Sequence, residues 1–266
     1  MKKIIYNLFR GFVSMLSAES KFQFAKRILI NLIKENGGDS HVRIRRKLYK
    51  SLMKNYPINY SFEFGRTYGL FSLIKEIKYV EGDIVEFGVG NGKSFFTWAS
   101  ALKYFGIKKA IYGFDSFEGF PNASKEDLGT RVTEVGTKVE GWTHIGGPEY
   151  VTNFITQDEG VDGAKSLFED GFPEIKMVKG YFDKTTDSIP AKIAFLHLDA
   201  DMYESTIIPL KHCLPKMDKG AIILFDEYHE FDRWPGVKKA VDEICVPMGL
   251  IPEYDYQSSR YLIRIK

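Results

Sequence analysis

The spacing of large apolar residues changes character partway along the chain. Over residues 4–34 it is helical: Leu8, Phe9, Phe12, Val13 and Leu16, then Phe22, Phe24, Ile28, Leu29 and Leu32, until Gly37-Gly38 ends the run. His41 to Tyr56 reads as a basic amphipathic helix stopped by Pro57, because the residue before a proline is pushed out of the helical region. Arg66 to Val80 sets Leu70, Leu73, Ile74 and Ile77 on one face, which predicts a helix with a core side. From Asp83 onward, short apolar runs alternate with helical stretches. The runs are Ile84–Phe87, Ala110–Phe114, Ile175–Lys179, Ile193–Leu198 and Ala221–Phe225; helices are predicted near 93–105, 149–157, 162–169, 203–217 and 237–245. Two last runs, Ile251–Tyr256 and Tyr261–Ile265, flank Gln257-Ser258-Ser259 and predict a hairpin. Strands alternating with helices imply an α/β fold with a doubly wound, mostly parallel sheet, to which the hairpin adds an antiparallel edge. The expected organisation is a helical N-terminal extension over residues 1–80, serving as a lid or oligomerisation layer, and an α/β core over 81–266.

Composition narrows the class. Hydrophobic residues make up 44% and charged residues 27%, as in an ordinary globular protein. Cys213 and Cys245 form no C-x-x-C and no disulfide framework, so a reducing, cytoplasmic setting is expected. No apolar stretch is long enough for a membrane span, and the apolar start is cut short by Arg10, which is poor for a signal peptide. The net charge of +2 hides an asymmetry: residues 1–54 hold 13 Lys and Arg against 3 Asp and Glu, and the rest 24 against 32. Such a basic arm suits peripheral contact with an anionic membrane, an acidic substrate or the acidic body of its own protein, and equally a solvated helical face.

Chemistry gathers at the ends of the predicted strands, where open α/β sheets bind ligands. Gly82 to Ser94 reads as strand, tight turn and helix, with glycines at 88, 90 and 92. That spacing misses the G-x-G-x-x-G of dinucleotide-binding folds. Glu86, just before the turn, repels a pyrophosphate but accepts hydrogen bonds from nucleoside hydroxyls, which favours S-adenosylmethionine over NAD. Asp115 ends the second strand about 20 residues beyond the glycines, the distance of an acid that holds ribose hydroxyls. Asp199 and Asp201 follow the fourth strand, and Asp226 and Glu227 the fifth. Asp201-Met-Tyr-Glu204 also fits a helix cap with its reciprocal acid. Four carboxylates on neighbouring strand ends repel one another unless a cation neutralises them, and oxygen donors of this kind suit Mg²⁺. A metal beside a sulfonium donor suggests methyl transfer to a hydroxyl, with Asp201 or His229 taking the proton. His197 reads as a core residue. Tyr203, Tyr228 and Trp234 fit either an acceptor pocket or the core. Ser116 to Gly147, with Trp142 and His144, is a polar, glycine-rich loop of the length usual for lids.

The stretches VEFGVGNGKS (85–94), YGFDSFEGFP (112–121), VKGYFDKT (178–185), LHLDADMYEST (196–206) and ILFDEY (223–228) resemble, in order, the motifs of the macrocin-type O-methyltransferase family. The resemblance spans about Gly82 to Tyr228. It implies a Rossmann-like methyltransferase fold, S-adenosylmethionine and Mg²⁺ as cofactors, and methylation of a sugar hydroxyl. It implies Glu86, Gly88, Gly90, Asn91, Ser94, Asp115 and Ser116 at the cofactor, Asp199, Asp226 and Glu227 as metal ligands, and Asp201 as base or further ligand. Asp226-Glu227 stands where Asp-Asp is frequent, and Asn91-Gly92-Lys93 where Arg-Gly-Gly is expected. The expected partner is a small-molecule or glycan acceptor with a free hydroxyl; self-association is expected and nucleic acid is not. Two rivals stand beside this reading. Asp199-Ala200-Asp201 is a D-x-D that could hold a nucleotide-sugar in a glycosyltransferase, which leaves the glycines and Asp226-Glu227 unexplained. The other rival is a catalytically silent, membrane-docked subunit, for which the intact acid set is unexpected.

Overall fold

The computed structural model describes residues 59–90, 92–136 and 173–266. The chain divides into a unit over Met1–Ser61 and a unit over Phe62–Lys266. The helices expected before residue 59, those near 149–157 and 162–169, Asn91, Trp142 and His144 lie outside the described residues, as does the basic arm with its expected membrane and oligomer roles.

Helix α1 (Asn59–Glu76) precedes β1 (Asp83–Phe87), α2 (Lys93–Phe105), β2 (Ile111–Asp115), β3 (Ile175–Lys179) and β4 (Ile193–Leu198). Then come α3 (Tyr203–Cys213), β5 (Ile222–Phe225), α4 (Pro235–Cys245), β6 (Glu253–Asp255) and β7 (Arg260–Arg264). The strands lie in the order β3-β2-β1-β4-β5-β7-β6; β1 to β5 run parallel, and β6 and β7 form the antiparallel edge. The predicted strands and hairpin are thus present, with ends shifted by a residue or a few. The second strand takes in Asp115 itself, and the 203–217 helix is α3 followed by a tighter turn over Leu214–Lys216.

Both sheet faces are buried, each by alternate residues of the same strands, because successive side chains of a strand point to opposite faces. Ile84, Ile111, Ile222, Leu224 and Leu262 meet α1 and α2 through Leu73, Ile74, Ile77, Trp98 and Leu102. Val85, Phe114, Ile223, Phe225 and Ile263 meet α3 and α4 through Leu210, Cys213, Val241 and Cys245. Each fully buried aliphatic or aromatic side chain contributes about 2 kcal/mol by leaving water. The compact unit therefore begins before residue 81: α1 lays its apolar stripe on the sheet, and Glu76 takes both Nε and a terminal nitrogen of Arg264 on β7, at 2.8 and 2.9 Å.

The chain leaves β1 for β2 and β3 on one side and returns to β4 on the other. The carboxyl ends of β1 and β4 therefore form the topological switch point at which such sheets bind ligands.

Candidate active site

A cavity of about 830 Å³ opens at that switch point, within the range of sites that enclose small molecules. One wall comes from the turn between β1 and α2. Gly88 has φ +87°, and a Cβ there would stand 1.8 Å from the carbonyl oxygen of Asp199, so only glycine lets the two strand ends close together. The Asp199 N–H donates to the Phe87 carbonyl and the Asp226 N–H to the Leu198 carbonyl, which carries the ladder past the strands and aligns the ends of β1, β4 and β5. α2 starts at Gly92 with no side-chain cap, so its first N–H groups are left for other acceptors.

Asp115 closes this wall. Its two oxygens accept from the Gly90 N–H at 3.1 Å and the Phe117 N–H at 2.7 Å, which holds the glycine turn against the segment after β2. Gly88, Gly90, Ser94, Asp115 and Ser116 all line the cavity, and Ser116 Oγ donates to the Gly119 carbonyl at 2.6 Å. Glu86 does not line it. Its carboxylate is fully buried beneath the turn, taking hydrogen bonds from Ser94 Oγ and, at 2.7 Å, from Trp98 Nε1 on α2. In this geometry Glu86 braces the turn from below.

The opposite wall is acidic. Asp199, Asp201, Asp226 and Glu227 all face the cavity. Burial, then repulsion from Asp226, pushes the Asp199 carboxyl up to about 7. Burial and the neighbouring Asp199 and Asp226 likewise hold Asp201 and Glu227 well above the usual carboxylate range. Glu227 Oε2 is buried with no hydrogen-bond partner among the described residues. Buried polar atoms are normally satisfied, and this orphan, among groups that resist ionising together, is the environment a divalent cation relieves. The residues present fit such a cation.

Asp201 has φ +62°, a left-handed conformation uncommon outside glycine and tolerated by aspartate. It does not cap α3, whose N-cap is Met202. The Tyr203 N–H is instead taken at 2.7 Å by Asp127 Oδ1, and Asp127 Oδ2 accepts from the N–H and Oγ of Ser124 at 2.9 and 2.6 Å. A residue far away in sequence thus does the capping and leaves the Asp201 carboxylate for the cavity.

Two basic groups adjoin the acids. His197 on β4 lines the cavity as well as being buried. Burial depresses its imidazole, but Glu86, Asp199 and Asp226 more than offset that and hold it above its ordinary value. Arg260 starts β7 one step beyond the Phe225–Tyr261 pair, and its buried Nε donates to Asp226 Oδ1. Sequence reasoning missed Arg260, because its place opposite Asp226 depends on β7 pairing with β5. The one signal was the polar member of an alternating Arg260-x-Leu262-x-Arg264 face.

Other expected residues fall elsewhere. His229 is buried outside the cavity wall, its Nε2 3.8 Å from Glu230 Oε1, so it is not brought to the site of Asp201. Tyr203 donates to Glu243 at 2.6 Å and Tyr228 to Asp242 at 2.8 Å, both away from the cavity; Trp234 packs in a small cluster with Val132, Met202 and Val237. Of the two readings open for these aromatics, Trp234 and Tyr228 take the core one. Among the described residues, Phe120, Tyr181 and Phe182 are the phenyl and phenol rings that line the cavity.

The profile of the Macrocin-O-methyltransferase (TylF) family matches residues 70–245, more than half of the chain. Among characterised relatives, the chain is 26% identical over 176 residues to 8-demethyl-8-(2,3-dimethoxy-alpha-L-rhamnosyl)-tetracenomycin-C 4'-O-methyltransferase of Streptomyces olivaceus, covering 62% of this chain and 63% of that one. It is also 26% identical to demethyldecarbamoylnovobiocin O-methyltransferase of Streptomyces niveus, covering 65% and 62%. The chain thus spans a little under two thirds of the length of these relatives. Among solved structures, the calicheamicin methyltransferase CalS11 aligns with a TM-score of 0.60 at 21% identity over 94% of each chain. The O-methyltransferase NovP aligns with a TM-score of 0.57 at 20% identity, over 76% of this chain and 80% of its own. At that identity the two structures speak for the fold, and the fold is the sheet described above. With the profile running from α1 through both walls of the cavity to the end of α4, the chain belongs to the macrocin-O-methyltransferase family.

Proposed function

We propose that this chain transfers a methyl group from S-adenosylmethionine to a sugar hydroxyl, with a divalent cation such as Mg²⁺ held by Asp199, Asp226 and Glu227. The observation that supports the reading is the close approach of Gly88 to the Asp199 carbonyl, which brings the glycine turn and the acid cluster into one cavity. When bound, the donor supplies an electrophilic methyl group and the cation supplies positive charge that acidifies a hydroxyl.

The protein's share of the chemistry is binding, alignment and proton transfer. The glycine turn and the N-terminus of α2 would take the donor, with Asp115 lining the cavity beside them at the donor's ribose hydroxyls. Phe120, Tyr181 and Phe182 offer faces on which an acceptor can lie and from which water is excluded. Asp201, which lines the cavity, would accept the proton of the acceptor hydroxyl. With the donor supplying the methyl group, the hydroxyl proton would end on Asp201. The names of the relatives, all of which carry O-methylation, support the transfer class. They do not carry over an acceptor.

Calorimetric titration of S-adenosylmethionine, with UDP-sugars as control ligands and each run with and without Mg²⁺, tests the class. Micromolar binding of the methyl donor and none of UDP-sugars is expected. Metal-dependent binding of a UDP-sugar without the methyl donor would return the site to the D-x-D glycosyltransferase reading.

A further inference from the structure

His197 is the non-acidic member of the acid wall, and no step above uses it. It precedes Asp199 by two residues, so strand alternation sends both side chains to the same face. The imidazole is 3% exposed, and neither ring nitrogen makes a hydrogen bond among the described residues. The nearest acceptor, Glu86 Oε1, stands 3.5 Å from Nδ1, beyond a normal N–H···O reach. A ring nitrogen of His197 and one carboxylate oxygen each of Asp199 and Asp226 lie within 4.8 Å of one another. Donors each about 2.1 Å from one ion stand about 3 Å apart when adjacent and about 4.2 Å when opposite, so the three share an ion after closing by roughly 0.5 to 2 Å.

We propose that His197 is a ligand of the cation, through Nε2, so that the site is a mixed nitrogen and oxygen set that takes Mn²⁺ or another first-row transition ion in preference to Mg²⁺. The inference rests on the reading of the acid wall as a cation site. Imidazole is a poor donor to Mg²⁺ and a good one to transition ions, whereas carboxylates serve both. Glu86 then has a second task. Ligating histidines commonly donate their other ring N–H to a carboxylate, and Glu86, locked by Ser94 and Trp98, faces Nδ1 from the adjacent strand in register with His197. Its burial beneath the turn follows from that position.

Titration of Mn²⁺ into the full chain, followed by electron paramagnetic resonance, reports binding as loss of the free-ion signal; electron spin echo modulation reports directly bound nitrogen. One Mn²⁺ per chain with ¹⁴N modulation is expected, and Mg²⁺ should displace it only at more than tenfold excess. His197→Gln should lose the modulation and weaken Mn²⁺ binding by tenfold or more, while His229→Gln keeps both. Tight Mn²⁺ binding without ¹⁴N modulation in the unsubstituted chain overturns the inference and leaves the cation site standing, with no variant needed. If Mn²⁺ binds no tighter to the unsubstituted chain than to Asp199→Asn, the cation reading fails and takes the inference with it. Equal affinity for Mg²⁺ and Mn²⁺ overturns the stated preference.

Discussion

At the scale of single residues, the acid wall combines two jobs that substitutions can separate. Asp201→Asn keeps a side chain that tolerates the left-handed backbone at φ +62°, so the fold should survive. If Asp201 is the base, kcat falls by about 10² to 10⁴ while cation affinity holds. Asp199→Ala should instead abolish turnover and cation binding and leave the affinity for S-adenosylmethionine nearly unchanged. Calorimetry on the two variants decides, and a large loss of donor binding in Asp199→Ala would remove it from the cation role. Arg260 poses a different trade. Its guanidinium satisfies Asp226 from a side chain only 3% exposed, and stripping one partner from a buried pair costs about 3 kcal/mol. The same positive charge opposes a cation. Arg260→Met should lower the melting temperature of the metal-free protein yet tighten divalent binding by roughly tenfold, about 1.4 kcal/mol. Unchanged or weaker cation affinity would mean that Arg260 aligns Asp226 more than it competes for it.

At the scale of elements, the strands were legible because each is a short β-branched or aromatic run bounded by polar or glycine residues, and their carboxyl ends could be marked before any pairing was known. Asp199, Asp201, Asp226 and Glu227 could be marked at strand ends for that reason, and all four line the cavity. What could not be read was anything set by a partner distant in the chain. The alternative that Asp201-Met-Tyr-Glu204 is a self-contained cap does not hold, because the Tyr203 N–H is taken by Asp127. Glu86 looked like a ligand to the cofactor, but Trp98 and Ser94 enclose it once α2 folds back over β1. His197 is buried as its core reading expected, but alternation describes direction and could not show that the cavity lies opposite. Arg260 needed the sheet order. The capping account has its own test: Asp127→Ala removes the acceptor for Tyr203 and the anchor of Ser124, and should cost about 1 to 2 kcal/mol in chemical denaturation. A loss below a few tenths would show that α3 starts as well without it.

At the scale of the whole molecule, the site opposes the stability of the metal-free chain. Asp199, Asp201 and Glu227 hold protons in the folded state that they would release when unfolded. Stability without a cation is therefore greatest on the acid side, and declines as pH rises from the usual carboxylate range through about 7, where Asp199 ionises. His197 has the same sign: a raised imidazole stabilises below its ordinary value, and that contribution fades as pH passes the folded one. A cation binds the deprotonated forms. Thermal scans with and without divalent cation should accordingly diverge as pH rises from about 5 to about 8. A constant gap would show that the acids are ionised together and relieved by something else.

The stitch from Asp127 to α3 also sets rules for anyone who wishes to reshape the cavity. Phe120, Pro121 and Asn122 face the cavity on the same stretch of chain that Ser124 and Asp127 fasten to the first turn of α3. Gly236, at the start of α4, leaves room for that carboxylate: a Cβ there would stand 2.2 Å from Asp127 Oδ1. A segment grafted from a relative with another acceptor would have to bring its own acid for the Tyr203 amide and find a glycine waiting at 236. Chimeras that respect this lock-and-key at the rear should keep the cavity intact, and those that cut through it should dislodge the Asp201 carboxylate before any new ligand is met.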